Sequence, residues 1–154
     1  MNPNEQLIHH FYTCFQNKDF KGMQDCYADE AHFSDAIFKN LSSKEVKAMW
    51  EMLITKGKDL RLEFKDISAT KNTGKAHWDA YYTFSATGKK VINRIDATFE
   101  IENGKIVKHT DSFNFHSWAK QALGLKGMLL GWTNFLRKKV SAQAMKNLGS
   151  FMAA

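Results

Sequence analysis

Residues 76–107, AHWDAYYTFSATGKKVINRIDATFEIENGKIV, decide the fold. Ala76, Trp78, Ala80, Tyr82 and Phe84 recur at every second position, then Thr87-Gly88 interrupts them. Val91, Asn93, Ile95, Ala97, Phe99 and Ile101 form the next alternating set, and Asn103-Gly104 ends it. A period of two marks strands with one buried face, and Asn-Gly between two such runs marks a tight hairpin. The same pattern extends outward. Leu60-Arg61-Leu62-Glu63-Phe64 alternates ahead of a turn at Asn72-Thr73-Gly74, and a last strand follows from Lys105 to about Phe115. Four strands joined by three hairpins form an antiparallel sheet that buries one face.

Upstream, the period becomes helical. Leu7, Ile8, Phe11, Tyr12 and Phe15 make one face of a first helix with Asn4 as its cap, and Asp19 caps a short second helix through Met23, Cys26 and Tyr27. A short strand, Ala31–Phe38, precedes a third helix that opens on Ser42, Ser43 and Glu45, passes through Val46, Met49, Trp50 and Leu53, and ends near Gly57. Downstream, Trp132, Leu136, Val140 and Leu148 are spaced for one helical stripe. The order reads as an α+β domain over residues 1–116, a curved antiparallel sheet packed against N-terminal helices, with a C-terminal helical extension over 117–154 packed on the same domain.

The 154 residues suit one core. Twelve phenylalanines are many for this length and suit a domain that lines a hollow with rings. The N-terminus lacks the basic-then-apolar pattern of a secretory signal, so a cytoplasmic location and reduced thiols at Cys14 and Cys26 are expected. The net charge of +6 comes wholly from the tail. Lys120, Lys126, Arg137, Lys138, Lys139 and Lys146 lie beyond residue 116 without a single acid. Met128, Leu129, Leu130, Trp132, Phe135 and Leu136 are too apolar to leave in water. A helix that packs on the body and closes a pocket is the first expectation. An anionic membrane surface is a second. Nucleic acid fits poorly, because three contiguous charges come without a ladder of stacking rings.

The element order resembles the cone fold shared by nuclear transport factor two, ketosteroid isomerase, scytalone dehydratase, limonene epoxide hydrolase and the SnoaL-like polyketide cyclases. Tyr27-Ala28-Asp29-Glu30-Ala31-His32-Phe33-Ser34-Asp35 is similar to the isomerase segment that runs into its catalytic aspartate. Glu102–Val107 resembles the final hairpin, and Leu130–Val140 resembles the tail of bacterial members. The resemblance implies a pocket for a small apolar molecule, acid/base chemistry without cofactor or metal, and a homodimer formed through the open face of the sheet. By position, Asp35 matches the isomerase's general base. Phe33 precedes it by two, on the core-facing side of the strand. A carboxyl facing an apolar hollow has its charged form disfavoured, which suits proton transfer near neutrality.

His109 and Asp111 alternate with Val107, Phe113 and Phe115, so they are read as polar groups in an apolar wall. Next-but-one neighbours on a strand lie roughly 7 Å apart, close enough for a direct bond or a bridge. Asp35, Asp111 and His109 are therefore the candidate catalytic groups. Tyr12, Phe33, Trp50, Trp78, Tyr82, Asn93, Phe99 and Phe113 are the candidate lining. Each has a structural alternative: a turn-capping role for Asp35, a structural pair for His109 with Asp111, and ordinary core for the rings. The isomerase's oxyanion donors are not matched, since Phe11 falls at the tyrosine position with Tyr12 one residue along, and Asp96 alternates outward. The inward arginine of epoxide hydrolases is missing too, because Arg61 and Arg94 face out. A binding module without chemistry stays open beside the enzyme.

Overall fold

The computed structural model describes residues 1–154. Helix α1 (Pro3–Gln16) and the short α2 (Phe20–Gln24) lead into strand β1 (Tyr27–Ser34). A two-residue β2 (Leu41–Ser42) and helix α3 (Ser43–Lys56) follow. Then come β3 (Arg61–Ala69), β4 (Thr73–Phe84), β5 (Lys89–Glu102) and β6 (Lys105–Ser112), and the chain ends in α4 (Phe115–Leu123), α5 (Leu125–Leu130) and α6 (Asn134–Ala153). The six strands form one curved, unclosed sheet in the order β2-β1-β6-β5-β4-β3. The fold is the α+β cone that the hairpin pattern and the resemblance both implied.

Local chemistry places most boundaries. Ser42 and Glu45 form the reciprocal capping box at the start of α3, and Asp19 caps α2 through the Gly22 N–H. The cap of α1 is Asn2 rather than Asn4, because Pro3 takes the first helical position, where its missing N–H has no partner to lose. Asn4 instead donates to the carbonyls of Thr70 and Lys71, tying α1 to the β3–β4 turn. Where α1 crosses β4 the approach is close. A Cβ on Gly74 would come within 2.4 Å of Ile8 Cδ1, so any side chain there would have to displace that methyl. Asn103 and Gly104 both carry positive φ, 50° and 73°, as the tight β5–β6 hairpin requires.

Four further expectations need correcting. The first strand runs over 27–34 instead of 31–38, because Asp35 turns the chain by accepting the N–H groups of Ile37 and Phe38 on its Oδ1. The sheet is also not wholly antiparallel: β1 lies parallel to β6. The third concerns the start of β6. Ile106 is fully buried there while Val107 is only half-buried. Glu100 and Ile101 on β5 oppose Lys108 and Ile106, so Val107 is an extra, bulged residue that flips the alternation before His109 restores it. In the tail, Gly124 (φ 66°) and the Thr133 cap divide one expected stripe into three helices. Leu136 and Leu148 are buried, but Trp132 falls outside the stripe and is exposed.

Two apolar clusters result. The larger fills the space between the sheet and α1–α3, and Leu148 of α6 joins it. The smaller, made of Val91, Phe115, Trp118, Ala119, Ala122 and Leu136, caps one end. Ile37, Tyr82 and Phe113 pack against both. Polar ties hold the cap in place: Gln121 bonds both the N–H and the carbonyl of Ile92, Thr87 donates to the Ala122 carbonyl, and Ser141 donates to that of Ile37.

The outer face of the sheet is charged. His77 bridges Asp96 through Nδ1 and Asp79 through Nε2, each at 2.8 Å, and Arg94 lies 3.5 Å from Asp79. Two carboxylate acceptors favour an imidazolium, and these bonds, led by that to Asp96, raise the His77 pKa above its ordinary 6.5. The stabilisation is full below pH 6.5 and is lost as pH rises through the higher folded value. Replacing His77→Gln should therefore lower stability more at pH 6 than at pH 9, as read by urea denaturation.

Candidate functional site

The parallel pairing of β1 with β6 builds the site. Phe33 pairs with His109 and Ser34 with Thr110; Asp35 and Asp111 are the next residues along, and the Asp111 charge reaches Asp35. Adjacent strands run about 4.8 Å apart. On the other side of β6, Asp111 pairs with Ala97, whose methyl leaves the carboxylate uncrowded. The two acids, 76 positions apart in sequence, are brought to the same end of the β1–β6 pair by this register and by the turn at Asp35.

Asp111 ends a chain of buried hydrogen bonds. Trp50 Nε1 donates to the Tyr27 hydroxyl at 2.9 Å. Tyr27 lies 2.8 Å from His109 Nδ1, and His109 Nε2 lies 2.9 Å from Asp111 Oδ1. An indole can only donate, so the Tyr27 oxygen accepts from it and turns its own proton to Nδ1. His109 then carries its proton on Nε2 and donates it to Asp111. The direct bond between neighbours two apart on the strand is one of the two outcomes the sequence left open. Rings seal the imidazole: Phe99 at 4.3 Å between centroids, Phe33 at 4.9 Å, Phe11 at 5.7 Å, and Trp50 stacked at 6.2 Å. His109 has no exposed surface and both its nitrogens are committed. It can orient Asp111, but it cannot itself meet a substrate.

Asp35 is placed differently. Its Oδ1 accepts both backbone N–H groups of the turn, at 2.8 and 2.7 Å, which is the capping role the sequence held as its alternative. Its Oδ2 takes no part in that turn. Burial pushes the Asp35 pKa up from 3.8 to about 7; the two N–H bonds oppose the shift and the Asp111 charge adds to it. Near neutral pH this carboxyl exchanges its proton readily, and the turn leaves Oδ2 to carry it.

Two tyrosines feel the charges of the acid pair. Tyr12 is fully buried and its hydroxyl has no partner; burial, and then the Asp111 charge, hold its pKa well above 10.0. Tyr12, one position past the Phe11 that the isomerase comparison selected, thus comes within electrostatic reach of Asp111. Trp78 Nε1 is likewise buried and unpartnered. Tyr82 accepts from Trp118 Nε1 at 2.7 Å and keeps its own proton to donate. Burial raises its pKa to about 12, with a further contribution from Asp35. Trp118 and Tyr27 were not chosen from the sequence. Tyr27 read as the end of a helix, and Trp118 lay in the tail. A tyrosine four residues before Ala31, where the strand's alternation begins, was the available signal for the first, and nothing marked the second.

The expected lining needs revision. Phe33, Trp50, Trp78 and Phe99 do not border an open hollow; they pack ring against ring. Phe33 meets Trp50 at 5.8 Å, Trp50 meets Trp78 at 6.2 Å, and Phe15 meets Trp78 at 5.3 Å. Apolar rings with no water between them gain from closing on one another, and helix α1 brings Phe11 and Phe15 down to complete the filling. Tyr82 and Phe113 stay half-buried at the seam between the two clusters. Asn93 faces inward as its alternation implied, is buried, and borders a groove of about 380 Å³ with Arg94, Asn114, Ser117 and Gln121. A second groove, about 310 Å³, crosses the outer face at Thr73, Lys75, Glu100 and Lys108. The candidate site is thus the acid pair with the tyrosines that feel its charges, Tyr12 at Asp111 and Tyr82 at Asp35, beside the seam where Tyr82 and Phe113 pack against both clusters. No three His, Cys, Asp or Glu side chains converge as metal ligands would.

The sequence matches the SnoaL-like domain model over residues 8–109, which span most of α1, α2, α3, β1 to β5 and β6 up to His109. The chain belongs to the SnoaL-like family. Solved structures share its fold. An epoxide hydrolase from M. tuberculosis of the limonene-epoxide-hydrolase-like kind is 16% identical with a TM-score of 0.65, over 84% of this chain and 97% of that one. A candidate polyketide cyclase from Xanthomonas campestris is 17% identical with a TM-score of 0.65, over 77% and 96%. A nuclear-transport-factor-two-like protein of unknown function from Burkholderia pseudomallei is 18% identical with a TM-score of 0.64, over 73% and 92%. None of the curated proteins matches.

Two outcomes follow from this SnoaL-like site. Tyr27→Phe leaves both the Trp50 N–H and His109 Nδ1 without their partner, at a cost of about 2–4 kcal/mol, whereas adding Trp50→Phe removes one orphan and returns part of that loss, as chemical denaturation would measure. Folded Asp35 holds its proton to about pH 7, while in the unfolded chain it is lost near 3.8. Its contribution is therefore full below pH 3.8 and fades as pH climbs to 7. Asp35→Asn, which keeps the Oδ1 acceptor, should flatten that decline.

Proposed function

We propose that this SnoaL-like protein is an acid/base enzyme, working without cofactor or metal, that moves a proton on a small, largely apolar substrate held at the seam between its two apolar clusters. The observation that carries the reading is Asp35: one oxygen pinned by the turn, the other uncommitted, and a proton affinity matched to neutral pH by burial beside Asp111. A general base is most effective when its pKa lies near the working pH.

In this reading Asp35 takes or delivers the proton. Asp111, oriented by His109 and through it by Tyr27 and Trp50, is a fixed acceptor for a donor on the substrate. The Tyr12 hydroxyl, fully buried within reach of the Asp111 charge, supports that carboxylate from behind as His109 does, while half-buried Tyr82, which keeps its own proton, is the donor that stabilises oxygen charge as it develops, where a well-placed donor is worth about 3 kcal/mol. The relatives whose names include an epoxide hydrolase and a polyketide cyclase make such chemistry plausible for this scaffold; which reaction class applies here is left to the substrate.

The test is hydrogen exchange at the carbon beside the carbonyl of a small cyclic ketone, 2-tetralone, followed by NMR in D2O. The protein should speed exchange, and Asp35→Asn should cut the rate by about 10²–10⁴-fold, with a Tm at pH 7.5 no lower than that of the parent. Exchange that survives the substitution would remove Asp35 from the chemistry. A second reading, a binding module for apolar ligands, draws on the ring-filled core and on the turn-capping by Asp35. Saturable 2-tetralone binding with no exchange above background would favour it over the enzyme.

A further inference from the structure

The short helix α5 is packed inside out. Its contact with α4 is made by glycines: a Cβ on Gly127 would lie 1.8 Å from the Ala119 carbonyl oxygen, and one on Gly131 would lie 2.8 Å from the His116 ring. With its small residues spent on that contact, the helix turns its large ones outward. Leu125 is 67% exposed, Leu129 60%, Trp132 77% and Phe135 71%, with Met128 among them. A monomer that leaves five large apolar side chains together in water has a surface for them.

Two further observations say which surface. The first is polar satisfaction. The last carbonyls of α5 are each taken by a side chain: Met128 by His116 Nε2 at 3.0 Å, Leu129 by Trp132 Nε1 at 2.9 Å, and Leu130 by Thr133 Oγ1 at 2.6 Å. The Trp132 indole lies stacked on His116. The projecting end can therefore enter a medium without hydrogen-bonding capacity and leave these carbonyls and the indole N–H paired. The second is charge. Residues 117–154 contain no acid, and exposed Lys120, Lys126, Arg137, Lys138 and Lys139 lie beside the apolar tip. Lys138 and Lys139, three and four residues after Phe135, share its side of α6. Apolar rings ringed by cations match the acyl boundary of an anionic bilayer below its headgroups. No helix here is long and apolar enough to cross a membrane, so contact would be with one leaflet only.

We propose that Leu125, Met128, Leu129, Trp132 and Phe135 insert into the interface of an anionic lipid bilayer, with Lys126, Lys138 and Lys139 paired to the headgroups. The surface is separate from the acid pair, and its test does not depend on turnover. The purified full chain is floated with phosphatidylcholine–phosphatidylglycerol vesicles and with pure phosphatidylcholine vesicles, at low and high salt. It should float with the anionic vesicles at low salt and bind the neutral ones at least ~10-fold more weakly. Brominated acyl chains should quench a fluorescence component that Trp132→Phe removes. The exposed triple substitution Leu129→Ser, Trp132→Ser and Phe135→Ser should reduce partitioning ~10-fold or more with an unchanged far-UV spectrum, and Lys138→Glu with Lys139→Glu should do so for anionic vesicles. Absence of flotation, or flotation indifferent to the triple substitution, would overturn the proposal. So would a solution dimer that the triple substitution dissociates, which would give the patch to a second copy of the chain.

Discussion

The parallel pairing of β1 with β6 is the constraint on which the rest depends. Every other neighbour in the sheet is reached by a hairpin or a short return, so its register follows from local turns. The β1–β6 register does not. It is set by what the two strands bury, Phe33 beside His109, in a core that closes around them. Because the hairpin holds β6 in place, a slip of one residue would turn Phe33 to the outer face and carry Asp35 away from Asp111. The bulge at Val107 serves the same end, because without that extra residue Ile106 and His109 could not both face inward. Fold and candidate chemistry thus rest on one alignment of backbone.

The hydrogen-bond chain from Trp50 to Asp111 gives that alignment its cost and its specificity. Four polar side chains are buried among rings, and each is paired, so the network is fully satisfied up to the Asp111 carboxylate. A partly satisfied network in the same place would be worse than an apolar one. Two buried donors, Tyr12 and Trp78, stand outside it unpaired, and Tyr12 lies within reach of the Asp111 charge. Structural satisfaction ends where the candidate site begins. This division also explains why His109 orients while Asp35, held at one oxygen only, is left to carry a proton.

Much of this was legible in the sequence, and the limits have physical causes. The hairpins were readable because period-two alternation and Asn-Gly turns are local. Ala97 and Asn93 inward, and Asp96 and Arg94 outward, came from alternation alone and hold. The parallel neighbour of β1 was not readable, because no turn links those strands and pairing at long range leaves no local mark. The bulge at Val107 was invisible for a related reason: one extra residue looks like any other until its partner strand is known. The ring-packed interior defeated the expectation of an open hollow. Trp50, Trp78, Phe33 and Phe99 carry the same pattern whether they line a space or fill it, and only the helices packed above them decide. In the tail, spacing placed Trp132 on a buried stripe, but Gly124 and Thr133 break the helix and leave it outside.

The central claim is that half-buried Asp35 is held out of bulk water and feels the charge of buried Asp111, and carbon-detected NMR titration of the Asp35 carboxyl tests it most directly. The chemical shift of that carbon should move with a midpoint at about 7, and the midpoint should fall when Asp111→Asn removes the neighbouring charge. A midpoint near 3.8 that ignores the Asp111 substitution would mean that Asp35 faces water and merely holds its turn, and the acid pair would be no site at all.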